Sequence, residues 1–220
     1  MPPRAVLFDF GGVIADTENH HIAAWQRTLA AIGWEVPDEV CALAMEQDDR
    51  LFLAELFERQ KVKGGDVEGW VRKKQALTRT LMADSPRIYP GVKALVERLR
   101  GKTALGVVTT TWRENVVALL DAAGLRSCFA LVLAKEDTTV PKPDPECYRR
   151  AAQCLGLFPE DAAALEDSPG GLASARGAGL HAVAVGHRRP RGDWVGDGPF
   201  VASLEDTEEV LAALGLASLA

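Results

Sequence analysis

Between Val92 and Val185 the chain alternates between two kinds of segment, and few folds accommodate that alternation. Short apolar runs at 104–108, 130–134, 162–165 and 181–185 are separated by stretches at 113–122, 145–156 and 170–178 whose apolar residues recur every three or four positions, and a further such stretch at 92–99 precedes the first run. Runs of four or five residues read as strands, and the spacing between them as helices. Strands alternating with helices specify a parallel sheet covered on both faces. One more run, Ala5 to Phe8, ends in Asp9-Phe10-Gly11-Gly12 and reads as a buried strand followed by a turn.

Between that first strand and the alternating region lies a block of different character. Ile22, Trp25, Leu29 and Ile32 form the apolar stripe of an amphipathic helix within 20–32. Leu51, Leu53, Leu56 and Phe57 mark a second helix and Val71 to Met82 a third, with a turn at Lys63-Gly64-Gly65 between them. Positions 17 to 88 carry no strand signal. The expected fold class is therefore α/β: a doubly wound parallel sheet (1–16 and 89–220) with an inserted helical cap domain (17–88), joined by linkers near Asp16-Thr17 and Ser85–Pro90. Trp25 and Trp70 fall on the cap helices and are expected in its core.

Composition narrows the partners. A chain of 220 residues with 47% hydrophobic and 25% charged content can bury a substantial core. A net charge of −6 and no Lys/Arg-rich arm argue against nucleic acid and favour a small molecule. Cys41, Cys128, Cys147 and Cys154 form no C-x-x-C pair and read as reduced core thiols, which suits the cytoplasm. The N-terminal apolar run is too short for a signal peptide or membrane span. A monomer or weak dimer without membrane attachment is expected.

In an open parallel sheet, reactive groups gather at the carboxyl ends of the strands. Asp9 follows the first strand, Thr109-Thr110-Thr111 the second, and Glu166-Asp167-Ser168 the fourth, while Lys142 stands in the proline-rich loop Val140–Pro145 ahead of a helix. A lone carboxylate there could be a cap, as Asp167 could be for the following helix. Three carboxylates in one crevice are another matter, because like charges about 4 Å apart repel by roughly 4 kcal/mol at an effective dielectric near 20. A cation is needed, and Mg²⁺ fits best, as a hard ion that takes carboxylates, a carbonyl and waters while leaving room for a phosphate oxygen. A rigidly held Lys142 would neutralise both a nucleophile and an incoming phosphate. The Thr109 hydroxyl and the Thr110 N–H lie where anions are favoured.

These segments resemble the haloacid dehalogenase superfamily, on the branch with a helical cap after the first strand that includes beta-phosphoglucomutase-like phosphatases. The resemblance rests on Asp9-Phe10-Gly11-Gly12-Val13 with Asp16-Thr17-Glu18, on Thr109, on Lys142 in Lys-Pro-Asp-Pro, and on Glu166-Asp167-Ser168, four motifs in order over nearly the whole chain. It implies an aspartyl-phosphate formed on Asp9, a phosphoryl group held by Thr109, and charge neutralisation by Lys142. Mg²⁺ would be held by Asp9, the Gly11 carbonyl and Asp167, with Glu166 in or behind the ligand set. The substrate would be a small phosphorylated metabolite chosen by the cap.

One position departs from that pattern. Most relatives carry Asp where this chain has Gly11, and that Asp protonates the leaving oxygen and then activates water. Losing such a group typically costs about 10²- to 10⁴-fold. Glu18, His20 and His21 are candidate surrogates, the ordinary expectation for both histidines being a solvated helix start. Other readings are a phosphonatase-like hydrolase, for which 44–49 lacks the expected cap lysine and leaves only Lys73 and Lys74; a dehalogenase-like hydrolase, which would need no metal pair; and a non-catalytic phosphometabolite binder. Trp112 reads as packing or as pocket wall, and His187-Arg188-Arg189-Pro190-Arg191 as a solvated loop.

Overall fold

The computed structural model describes residues 2–45, 47–62, 65–194 and 198–219. Five strands with alternating helices build one sheet, and a sixth short strand extends it. The elements are β1 (Ala5–Phe8), α5 (Val92–Leu99), β2 (Ala104–Val108), α6 (Arg113–Ala122), β3 (Leu131–Leu133), α7 (Glu146–Cys154), β4 (Ala162–Glu166), α8 (Pro169–Ala178), β5 (His181–Val185), β6 (Phe200–Val201) and α9 (Thr207–Ala213). Between β1 and α5 come four helices, α1 (Glu18–Ala30), α2 (Asp38–Ala42), α3 (Asp49–Arg59) and α4 (Val67–Asp84). The α/β class expected from the alternation is the one observed. By its contacts the chain divides into two compact units, Met1–Asp16 with Arg87–Ala220, and Thr17–Pro86.

In the sheet unit the strand order is β3-β2-β1-β4-β5-β6, every pairing parallel. β1 is buried along its whole length, as a central strand covered on both faces must be. It pairs with β2 on one side and β4 on the other. The chain order thus reverses at the β1/β4 boundary, the switch point where parallel sheets open a crevice at their carboxyl ends. Ala5, Leu7, Val108, Ala164, Leu172 and Ala184 belong to the core on one side of the sheet. On β4, Ala162 and Ala164 pack in this core with residues of α7 and α8, where small side chains let the helices lie close to the strand. α8 begins sharply because Ser168 accepts the Gly171 N–H at 3.0 Å and Pro169 occupies the first turn.

The helical unit has its own core of Trp25, Leu29, Cys41, Leu53, Phe57 and Val71, with Trp70 packed at its margin. α3 and α4 start at capping aspartates, Asp48 accepting from Arg50 N at 2.8 Å and Asp66 from Gly69 N at 2.8 Å. The expected helices at 20–32, around Leu51–Phe57 and at Val71–Met82 are α1, α3 and α4; the expected turn at Lys63-Gly64-Gly65 falls partly outside the described residues. α2 went unseen because five residues give no periodicity to read.

Two further differences concern the thiols and the C-terminal region. All four cysteines are free, and Cys41 and Cys147 are buried, but Cys154 is exposed and Cys128 only half-buried, so half of the expected core thiols are not in the core. α7 turns Cys147, Tyr148, Ala151 and Ala152 inward, which leaves Cys154 on the outer face. β6 and α9, both short, were not foreseen.

Candidate active site

Asp9 is the first residue past β1, and its N–H donates to the Leu165 carbonyl at 2.9 Å, so the sheet ladder itself aims the side chain. The loop that follows folds back tightly: the Ile14 and Ala15 N–H groups both donate to Phe10 O at 2.9 Å, and Gly12 N–H donates to Ala15 O at 2.9 Å. Gly12 has φ +87°, and a Cβ there would lie 1.8 Å from Asp167 Oδ2. Only glycine lets this turn and the Asp167 carboxylate share the space. Glu166 is the last residue of β4, and Gly171 in the first turn of α8 is equally constrained, since a Cβ there would meet Glu166 Oε2 at 1.9 Å.

Asp9, Glu166 and Asp167 are all buried, and ligand oxygens from the three lie within 4.8 Å of one another. Lys142 enters from the loop before α7 and uses three donors: Asp9 Oδ1 at 2.7 Å, Glu166 Oε1 at 2.6 Å and the Val108 carbonyl at 2.9 Å. Tyr148 Oη donates to the same Glu166 oxygen at 2.5 Å, from the inner face of α7. Glu166 Oε2 is buried with no hydrogen-bond partner. Thr109 is buried and follows β2, its N–H bonded to Leu133 O at 2.9 Å and its Oγ1 accepting from Thr111 N at 3.1 Å. Thr110 beside it is exposed.

The electrostatics follow from this crowding. Burial, reinforced by the charge of Asp9, raises Glu166 to about 8 although Lys142 opposes the shift. The same two causes raise Asp167 to about 7 against Arg188, Lys142 and Arg189. Burial would push Lys142 down, but Asp9 and Glu166 overcome it and hold the ammonium above its ordinary range. Burial and the Glu166 charge lift the Tyr148 phenol. The site thus carries more carboxylates than its lysine can neutralise, all as hard oxygen donors, and an unsatisfied carboxylate oxygen among them: a donor set suited to Mg²⁺.

The structure brings Asp9, Lys142, Glu166 and Asp167 together, with Thr109 and Gly11 on the neighbouring strand end and turn of the same unit. The other candidates, Glu18, His20 and His21, open α1 in the helical unit. The expectation of a solvated helix start fails for the histidines. His20 is buried and donates through Nε2 to Ser85 O at 2.8 Å, while His21 Nδ1 accepts from Lys74 Nζ at 2.9 Å and is held neutral by burial and by the Lys74 charge.

The loop after β5 also differs from its expectation as solvated chain. His187 Nδ1 donates to Gly12 O at 3.1 Å, its Nε2 accepts from Leu204 N at 3.2 Å, and its ring stacks on Tyr89 with centroids 4.1 Å apart. Arg188 Nη1 donates to Asp167 Oδ2 at 3.3 Å. Tyr148, His187 and Arg188 were not singled out for the site. For the last two the available signal was position, because they too follow a parallel strand at its carboxyl end.

Fold and site together define an α/β protein with a buried acidic cluster at the switch point of a parallel sheet, and comparison with known proteins gives its family. Residues 6–185 match the model described as haloacid dehalogenase-like hydrolase, and the chain belongs to that family. It is 32% identical over 206 residues to Protein CbbY of Rhodobacter capsulatus, covering 88% of this chain and 89% of that protein. It is 29% identical over 180 residues to the fructose-1-phosphate phosphatase YqaB of Escherichia coli, covering 82% and 95%. The crystal structure of CbbY from Rhodobacter sphaeroides in complex with phosphate superposes with a TM-score of 0.84 at 31% identity, covering 97% of this chain and all of that one. The chain is a phosphatase-type hydrolase of this family.

Proposed function

We propose that this protein is a Mg²⁺-dependent phosphohydrolase that removes the phosphoryl group of a small phosphorylated metabolite through an aspartyl-phosphate on Asp9. The single observation that carries the reading is the convergence of Asp9, Glu166 and Asp167 about one point, with Lys142 bound to the first two. In this reading Asp9 Oδ1, fixed by Lys142, attacks phosphorus, the P–O bond to the leaving group breaks, and water then hydrolyses the acyl phosphate. Dividing one displacement into two lowers each barrier. Asp9, Asp167 and the Gly11 carbonyl, with Glu166 in or behind the set, would hold Mg²⁺, which when bound would supply charge for the phosphoryl oxygens. Thr109 Oγ1, with the Thr110 N–H, holds those oxygens, and Lys142 neutralises the charge that builds up on them. The inserted unit selects the substrate as a cap. Relatives named for phosphorylated sugars, such as the fructose-1-phosphate phosphatase, support a metabolite of that size.

Gly11 bears on rate rather than on metal binding, since a backbone carbonyl needs no side chain. Among the surrogate acids, His21 is committed to Lys74 and neutral, and His20 gives its Nε2 proton to Ser85 O. Glu18 is the remaining carboxyl candidate. The test is phosphate release from a panel of sugar and other small organic phosphates, with and without Mg²⁺, by this chain and by Gly11→Asp. Mg²⁺-dependent turnover by the chain as written supports the reading, and Gly11→Asp is expected to raise it by about 10²-fold or more. Release that is indifferent to Mg²⁺ in both proteins would sink it. Turnover only by Gly11→Asp would leave this chain as a binder of phosphorylated metabolites.

A further inference from the structure

Gly11 and Gly12 stand side by side in the turn after Asp9, and a pair of glycines is the loosest backbone a chain can hold. In the metal reading given above, the carbonyl is all that Gly11 offers a divalent ion. A ligand on so loose a backbone needs its orientation fixed from behind. The direction of that carbonyl is set by the peptide it shares with the Gly12 N–H, because the two groups of a trans peptide point in opposite directions. The Gly12 N–H is bonded to Ala15 O at 2.9 Å, within the turn. The next peptide is held from another part of the sheet unit, where the Gly12 carbonyl accepts from His187 Nδ1 at 3.1 Å. Both peptides that flank the Gly12 Cα are thereby pinned, with its φ at +87°.

The second contact of the imidazole assigns its proton. The Leu204 N–H donates to Nε2 at 3.2 Å, so Nε2 is the acceptor of a neutral ring and the hydrogen lies on Nδ1, facing Gly12 O. Stacking on Tyr89, with centroids 4.1 Å apart and planes 20° from parallel, sets the plane of the ring. Tyr89 is itself tied to the turn, its N–H donating to Ile14 O at 3.0 Å. Gly91, at φ +83°, lies so close to Leu204 that a Cβ would meet the Leu204 carbonyl oxygen at 2.0 Å. His187 therefore joins the turn after Asp9 to the chain at 89–91 and at 204, and its one ring proton goes to the turn.

We infer that His187 is a positioning residue of the active site, whose Nδ1 proton fixes the Gly12 carbonyl and, through the turn, the Gly11 carbonyl as a ligand of the divalent ion. The inference rests on the metal reading given above. It separates the two nitrogens of one ring: Nδ1 serves the site, whereas Nε2 and the ring face serve the packing of 187 against 89 and 204. A ring that merely filled space would show no such separation.

The experiment is titration calorimetry of Mg²⁺ into the full chain, paired with urea melts, for the unaltered protein, His187→Asn, His187→Gln, His187→Ala and Asp167→Ala. An Asn amide reaches the place of Nδ1 and can donate to Gly12 O, while a Gln amide reaches the place of Nε2 and can accept from Leu204 N. Both lose the stacked ring, so both should melt at lower urea than the unaltered protein. His187→Gln is expected to weaken Mg²⁺ by about tenfold, the loss typical of a partner behind a metal ligand, and His187→Asn to stay within about threefold of the unaltered affinity. His187→Ala, which loses both bonds, should match His187→Gln and serves in its place if the glutamine variant does not fold. Equal weakening by Asn and Gln, a greater loss in Asn, or unchanged affinity in Gln or Ala overturns the inference. An unaltered protein that binds no Mg²⁺, or Mg²⁺ binding that Asp167→Ala leaves untouched, instead overturns the metal reading beneath it, and the His187 assignment with it.

Discussion

Among the described residues two lysines lie deep, one in each unit, and their surroundings differ in charge balance. Lys74 in α4, 1% exposed, is paired with Asp49: its Nζ donates to Asp49 Oδ1 at 3.0 Å and Oδ2 at 3.1 Å, and to the neutral His21 at 2.9 Å, within 5.2 Å of the Trp25 ring centroid. Lys142 meets two carboxylates, and a third stands beside them. A cation whose charge is met by a carboxylate held at both oxygens is stable without further ligand. One cation against three carboxylates, even with Arg188 at the rim, leaves a surplus of acidic groups that the metal-free protein meets by holding protons and that a bound ion would neutralise. Burial of charge alone therefore does not mark a reaction centre; the surplus does.

The largest effect should come from opening the balanced pair. Lys74→Met leaves Asp49 without its buried cation and is expected to destabilise the helical unit by about 3–5 kcal/mol, while Lys74→Met with Asp49→Leu recovers most of the loss. Urea melts of both variants check this, and a double variant as unstable as the single would show that the pair is not the source. At the unbalanced site the same kind of change should show in chemistry. Lys142→Met is expected to lower turnover by about 10²- to 10³-fold through loss of charge stabilisation. Near-normal turnover in that variant would remove Lys142 from the mechanism.

The pH dependence of the two sites should differ as well. Glu166 and Asp167 have folded-state values raised to about 8 and about 7, so in the metal-free protein they hold protons over a range where the unfolded chain has lost them. For a carboxyl shifted upward, that contribution to stability is present at low pH and is lost as pH rises from the unfolded value near 4 through the folded one. Metal-free protein should therefore lose stability between about pH 4 and pH 8 on account of these groups. Mg²⁺, which needs the deprotonated forms, should bind about tenfold more tightly at pH 8 than at pH 6. Calorimetry across that range, with the proton release it implies, is the check; pH-independent binding would contradict the assignment of Asp167 as a ligand. A smaller effect is expected at Tyr148. Tyr148→Phe removes one donor from Glu166 but leaves Lys142 in place, and should reduce turnover by a factor of about three to ten.

How far the sequence could be read follows the same physics. The bounds of α5, β2, α6 and β5 match the apolar pattern because each is a covered element whose inner face is continuous. α9 was invisible to periodicity at seven residues, although Asp206, which accepts from Glu209 N at 3.0 Å, stood as a capping signal ahead of it. Asp9, Thr109, Glu166 and Asp167 were legible because strand ends select positions, and Lys142 because its flanking prolines did. Arg188 shares such a position after β5, but the basic run around it reads as a solvated loop, and the parallel pairing of β4 and β5 is what makes Asp167 its neighbour. The histidines of α1 depart from expectation for a related reason: a helix start is exposed by default, whereas the Ser85 carbonyl and the Lys74 ammonium, brought in by α4 and its end, engage a buried His20 and a half-buried His21.

The most direct test of the central claim is to trap the covalent intermediate. The protein would be incubated with Mg²⁺ and a phosphate ester that it hydrolyses, quenched in acid, reduced with borohydride and mapped by peptide mass spectrometry. The account predicts modification at Asp9 alone, absent in Asp9→Asn, whose turnover should fall by about 10⁴-fold or more. Modification at another residue, or undiminished Mg²⁺-dependent turnover by Asp9→Asn, would contradict it.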